Sequence, residues 1–152
     1  MSQRPNIALY EPDIPQNTAA IIRTCACLGA KLEIIETCGF HIIDKRIKRV
    51  GKDNIDLDKI EIHQSADKFF EAKKYHRVVL MTTKASTSYL NFKFEKNDTI
   101  LFGRESAGVP ENIHQSINDR LKIPMNKNTR SLNIASSVAI VLAESLRQTK
   151  LL

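Results

Sequence analysis

Residues 6–35 run strand, helix, strand in close succession, and that order constrains the fold more than any other feature of the chain. Asn6 to Tyr10 is a short β-prone run closed by Glu11-Pro12, a turn signal. Pro15 suits the first turn of a helix, where its missing N–H costs nothing. Ala20, Ile21, Cys25 and Leu28 then recur at helical spacing, and Gly29 supplies the stop. Leu32 to Ile35 reads as the next strand. A helix between two short strands carries the chain back to its starting edge, so the unit predicts a parallel sheet in an α/β fold.

The rest of the chain extends this pattern. Asp44 to Gly51 reads as a basic helix, and Ala66 to Tyr75 as a helix with Phe69 and Phe70 turned inward. Arg77 to Thr82 contains the apolar run Val78-Val79-Leu80-Met81, the mark of a strand buried on both faces. Thr99 to Phe102 repeats it, and Leu121 to Pro124 does so more weakly. Leu132 to Gln148 predicts a final helix with Ile134, Val138, Val141, Leu142 and Ser145 near one face. With 152 residues and no linker or repeat, residues 1–152 read as a single domain, a parallel sheet flanked by helices.

Composition bounds the partners. The chain is 42% hydrophobic with a net charge of +6, compatible with a polyanion such as RNA without requiring one. No signal peptide and no run long enough to span a bilayer is visible, so a cytoplasmic protein without membrane contact is expected. Cys25, Cys27 and Cys38 lack ligand spacing and read as reduced core thiols. His41, His63, His76 and His114 are scattered, and no metal site is expected.

In open α/β sheets, ligands sit beyond the carboxyl ends of the strands. Three such ends carry unusual loops: Thr82-Thr83-Lys84, Gly103 to Gly108, and Met125 to Arg130 leading into Ser131-Leu132-Asn133. Ser131, Asn133, Ser136 and Ser137 place small polar groups at a helix start, where free N–H groups favour negative charge. Each feature also has an ordinary reading: Gly103 and Gly108 as turn glycines, Ser131 or Asn133 as a helix cap. Together they suggest a pocket for a nucleotide-like ligand. It is not a Rossmann dinucleotide site, since no G-x-G-x-x-G follows the first strand.

Three motifs resemble the SPOUT methyltransferases, in the branch that methylates the ribose 2′-oxygen of tRNA and rRNA. They are P-Q-N-T-A-A-I-I-R-T-C (Pro15 to Cys25), L-F-G-R-E-S-A-G-V-P (Leu101 to Pro110) and I-P-M-N-K-N-T-R-S-L-N-I-A-S-S-V-A-I (Ile123 to Ile140). The opening N-I-A-L-Y-E-P-D-I-P-Q-N-T and the segment Gly39 to Arg49 resemble the short subgroup, without an N-terminal extension, that acts on wobble nucleotide 34 of tRNA. Two positions depart from it: Asp53-Asn54-Ile55, where relatives carry Asp-Tyr and an aromatic, and Ala143, where a Tyr is common.

The resemblance implies a trefoil knot in about residues 77–152, a homodimer with its pocket near the interface, and S-adenosylmethionine as methyl donor, leaving S-adenosylhomocysteine. It implies that Met81, Thr82, Gly103, Ile123, Met125, Ser131, Leu132 and Asn133 bind that donor. It assigns catalysis to Arg23 and Asn17, with Glu105, Ser131 and Asn133 in support. A guanidinium, with a pKa above about 12, is a poor base. Arg23 is therefore expected to hold a phosphate or the developing oxyanion. Lys45, Arg46, Lys48, Arg49 and Lys52 are the expected tRNA backbone contacts. The alternatives are another tRNA position, rRNA, or a binding protein without turnover.

Overall fold

The opening unit forms as its local signals dictate, with β1 (Asn6–Tyr10), α1 (Pro15–Leu28) and β2 (Lys31–Ile35). Pro15 occupies the first turn of α1, and Gly29 ends it in the left-handed conformation at φ 75°. The chain continues through α2 (Lys45–Gly51), β3 (Glu61–His63), α3 (Ala66–Ala72), β4 (Val78–Met81), β5 (Thr87–Ser88), β6 (Thr99–Phe102), α4 (Glu111–Ser116), β7 (Asp119–Lys122) and α5 (Ile134–Gln148). The computed structural model describes residues 4–41, 44–129 and 131–152. Ile42 and Ile43 of the Gly39–Arg49 segment, and Arg130 of the loop before α5, lie outside them.

The seven strands make one parallel sheet in the order β3-β2-β1-β6-β4-β7-β5. Strand alternation divides the apolar side chains between two faces. Ile7 and Leu9 of β1, Val79 and Met81 of β4, and Ile100 and Phe102 of β6 pack with Ile21, Val138 and Leu142 of α1 and α5. Ala8, Tyr10, Leu80 and Leu101 face the other way, onto Phe69 of α3 and Ile113 of α4. Both faces are covered, as the apolar runs require.

Some boundaries differ from expectation. α3 ends at Ala72, before Tyr75, with Lys73 outside helical geometry as its cap and its side chain paired with the buried Glu33. Phe69 is fully buried, whereas Phe70 is only partly so. β7 covers Asp119–Lys122 instead of Leu121 to Pro124, since pairing with β4 begins at Val79 opposite Asp119. α5 starts at Ile134, two residues after Leu132, with Asn133 as its cap. Cys25 is buried and Cys38 half-buried, but Cys27 is exposed, because α1 turns it away from the sheet. β3, β5 and α4 carry too little periodicity to be foreseen.

Candidate functional site

A cavity of about 580 Å³ opens at the carboxyl ends of β4, β6 and β7, a volume within the range of small-molecule sites. Its walls are the three loops singled out in the sequence. Met81 and Thr82 enter from β4, Gly103 and Glu105 from the loop after β6, and Ile123 and Met125 from the chain after β7. Ser131, Leu132 and Asn133 close it from the start of α5, and Asn17 reaches it from α1. Every residue expected to hold the methyl donor therefore lines this one cavity, as do Asn17, Glu105, Ser131 and Asn133 of the expected catalytic set.

Asn133 is both cap and wall. Its Oδ1 accepts the Ala135 N–H at 2.8 Å, while its Nδ2 donates to Asn17 Oδ1 at 3.0 Å. The two amides thus tie the starts of α1 and α5 together at the cavity rim. The Gly103–Gly108 loop is closed by reciprocal backbone hydrogen bonds between Arg104 and Gly108, at 3.0 and 2.9 Å. A Cβ at Gly103 would lie 2.6 Å from the Gly108 backbone, so the close approach that shapes this wall needs glycine.

Arg23 is placed elsewhere. It sits on α1 six residues beyond Asn17, roughly 9 Å along the axis, outside the cavity lining. There it forms an ion pair with Asp53, both side chains half exposed. Among the basic residues expected to meet RNA, Lys45, Arg46, Lys48 and Arg49 are exposed on α2, whose Ile47 and Val50 are buried against α1. Lys52 follows them, also exposed.

Sequence reasoning missed Ile14, Val109 and His114 in the cavity wall. His114 could not have been found, because α4 was not foreseen. It also missed Asp13, whose backbone N–H donates to Glu105 Oε2 at 3.0 Å. Burial, with the neighbouring Asp13 carboxyl second, pushes the Glu105 carboxyl up to about 7. Hydrogen bonding from Glu105 holds Asp13 below the usual carboxylate range, with Ser106 and the charge of Arg104 contributing.

Away from the cavity, the fold gathers Glu33, Glu61 and His63 closely enough to resemble a metal cluster, although no ligand spacing suggested one. Lys73 already supplies a positive charge there, paired with the Glu33 carboxylate, while His63 Nε2 lies 2.7 Å from Glu33 Oε1. No described helix is long and apolar enough to cross a membrane.

Comparison with known proteins agrees with this architecture. The model of the SpoU rRNA Methylase family matches residues 4–143. A tRNA (cytidine(34)-2′-O)-methyltransferase from Beijerinckia indica is 46% identical over 144 residues, covering 93% of this chain and 90% of the relative. The protein of the same name from Escherichia coli K12 is 37% identical, with 94% and 92% coverage. A structure solved to study the 2-OH methylation of C/U34 on tRNA superposes with a TM-score of 0.87 at 34% identity, covering 97% of both chains. A putative RNA methyltransferase from Bacillus anthracis gives 0.87 at 35% identity, covering 96% of this chain and 94% of that one.

Proposed function

The chain belongs to the SpoU methylase family, and from that premise we propose that it is a tRNA 2′-O-methyltransferase. Its substrate is the ribose of wobble nucleotide 34, a cytidine or modified uridine, and its methyl donor is S-adenosylmethionine. The observation that carries this reading is the gathering of all the expected donor-binding residues around one cavity. The donor fits the site's chemistry. Met81, Ile123 and Leu132 offer apolar surface for an adenine, and Gly103 lets its loop fold back tightly beside them, since a Cβ there would meet the Gly108 backbone. Asn133 and Ser131 supply polar groups at the rim.

When bound, the donor supplies an electrophilic methyl group. The protein's work is to align the ribose hydroxyl with it and to stabilise negative charge on that oxygen. The Asn17–Asn133 bridge holds the rim rigid where the ribose enters. Arg23, outside the wall, serves the substrate side. Its exposed pair with Asp53 is worth at most about 1 kcal/mol, so a tRNA phosphate can displace it. The guanidinium then holds that phosphate or the developing oxyanion. The active form is a homodimer in the cytoplasm, with the knot in about residues 77–152.

The test supplies labelled donor to the purified protein and bulk tRNA lacking the modification, followed by nucleoside analysis. Label should appear as the 2′-O-methylated wobble nucleoside and fall by roughly 100-fold or more in Arg23→Ala. Label in rRNA or at another tRNA position would keep the chemistry and change the substrate. Donor binding without transfer to any RNA would leave a binding protein.

The exposed face of α2 is assigned to the tRNA backbone. Replacing Arg46 and Arg49 together with alanine should weaken tRNA binding and lower the salt slope by about one per arginine removed, with donor binding intact. Filter binding across salt concentrations checks the first, and calorimetry the second. Equal loss of both would reject the assignment.

A further inference from the structure

Asp13 and Glu105 meet at the cavity wall, where the Asp13 backbone N–H donates to Glu105 Oε2 at 3.0 Å and makes the two carboxyl groups neighbours. Asp13 belongs to the segment between β1 and α1, and Glu105 to the Gly103–Gly108 loop, 92 residues away. Asp13 Oδ1 and Glu105 Oε1 are both buried and neither has a hydrogen-bond partner. Two ionised carboxylates would repel there, and one proton between them satisfies both oxygens. The remaining contacts decide where it rests. Asp13 Oδ2 accepts the Ser106 hydroxyl and lies 3.8 Å from Arg104 Nε, so Asp13 keeps the charge and Glu105 the proton. Gly39 packs tightly against the Asp13 backbone, since a Cβ there would lie 2.9 Å from Asp13 Cα.

We propose that Asp13 and Glu105 share one proton and act as positioning residues, clamping the Gly103–Gly108 loop to the start of α1, so that loss of the proton loosens the cavity wall. The ligand affected rests on the methyl-donor reading given above. Other charged groups face the pair. Glu11, 3.8 Å from Arg104, draws off part of that arginine's charge. The Cys38 thiol, pushed up to about 12 by burial and by Glu36, stays neutral. Tyr10, also pushed up to about 12 by burial, stays protonated. Glu105 is thus the group that changes charge near neutrality. The clamp is complete below about 7 and opens as pH rises through that value.

S-adenosylhomocysteine titrated calorimetrically into the full-length protein tests this. Affinity should fall as pH rises above about 7, by at most about tenfold per pH unit for one proton. Runs in buffers of different ionisation enthalpy should reveal proton uptake on binding. In Glu105→Gln both effects should vanish, and in Asp13→Asn the midpoint should shift to lower pH, because burial still acts on Glu105 but the neighbouring carboxylate no longer does. A flat wild-type profile, or variants that keep the wild-type dependence, would overturn the clamp. Absence of binding at every pH would remove the donor reading, and the free protein would then decide through ¹³C titration of the Glu105 carboxyl. A near-neutral midpoint that drops in Asp13→Asn upholds the shared proton, and a midpoint in the ordinary carboxylate range overturns it.

Discussion

Gly103→Ala should weaken ligand binding in the cavity by roughly 100-fold while leaving the sheet folded. The added Cβ would lie 2.6 Å from both Cα and the carbonyl carbon of Gly108, and 3.0 Å from Val109 N. These are backbone atoms, which cannot rotate aside as a side chain would. The loop must open, and the two Arg104–Gly108 hydrogen bonds, worth about 1 kcal/mol each, go with it. A wall displaced by about 1 Å typically costs on the order of 100-fold in a catalysed step. Calorimetry with S-adenosylhomocysteine and the methyl-transfer assay should both register losses of that order. Gly108→Ala provides the contrast. That residue has φ +64° but open space around its Cβ position, so only the left-handed backbone penalty of about 1–2 kcal/mol applies. Wild-type binding by Gly103→Ala would mean that the ligand does not use this wall.

The second large effect concerns stability. Glu33 lies fully buried in β2 with Lys73 and His63 on its two oxygens, and those partners are themselves more than nine-tenths buried. In Glu33→Ala the Lys73 ammonium would stay in the interior without its counter-ion. Breaking such a pair from one side costs about 3–5 kcal/mol. For a chain of this size that lowers Tm by roughly 10 °C. Removing both charges is another matter: Glu33→Leu with Lys73→Met replaces the pair by apolar volume and should recover most of the loss. Thermal melts of the single and double variants distinguish the two. A double variant as unstable as Glu33→Ala would show that the packing, not the stranded charge, sets the cost.

The elements that carried their own periodicity were legible in the chain. β1, α1 and β6 follow from a few adjacent residues: an apolar run, a proline at a helix start, a glycine at its end. The cavity residues were legible for a different reason, as motifs resembling a known family, and the fold brings Met81, Gly103, Ile123 and Ser131 around one cavity. β3 and β5, with three and two residues, were beyond reach because such short strands exist only through their neighbours. β7 was misplaced by two residues because its register comes from β4 and not from its own apolar positions.

By itself, then, the sequence determined the α/β class, the parallel opening unit and the loops that form the cavity, since all three rest on local spacing. Only the tertiary structure decided that Arg23 lies outside that cavity beside Asp53, and that Asp13 stands against Glu105. It alone gathered Glu33, His63 and Lys73 from three separate elements. Local propensity acts over a turn of helix or a few strand residues. Which charges are buried together depends on contacts between distant positions, chosen by the packing of both faces of the sheet.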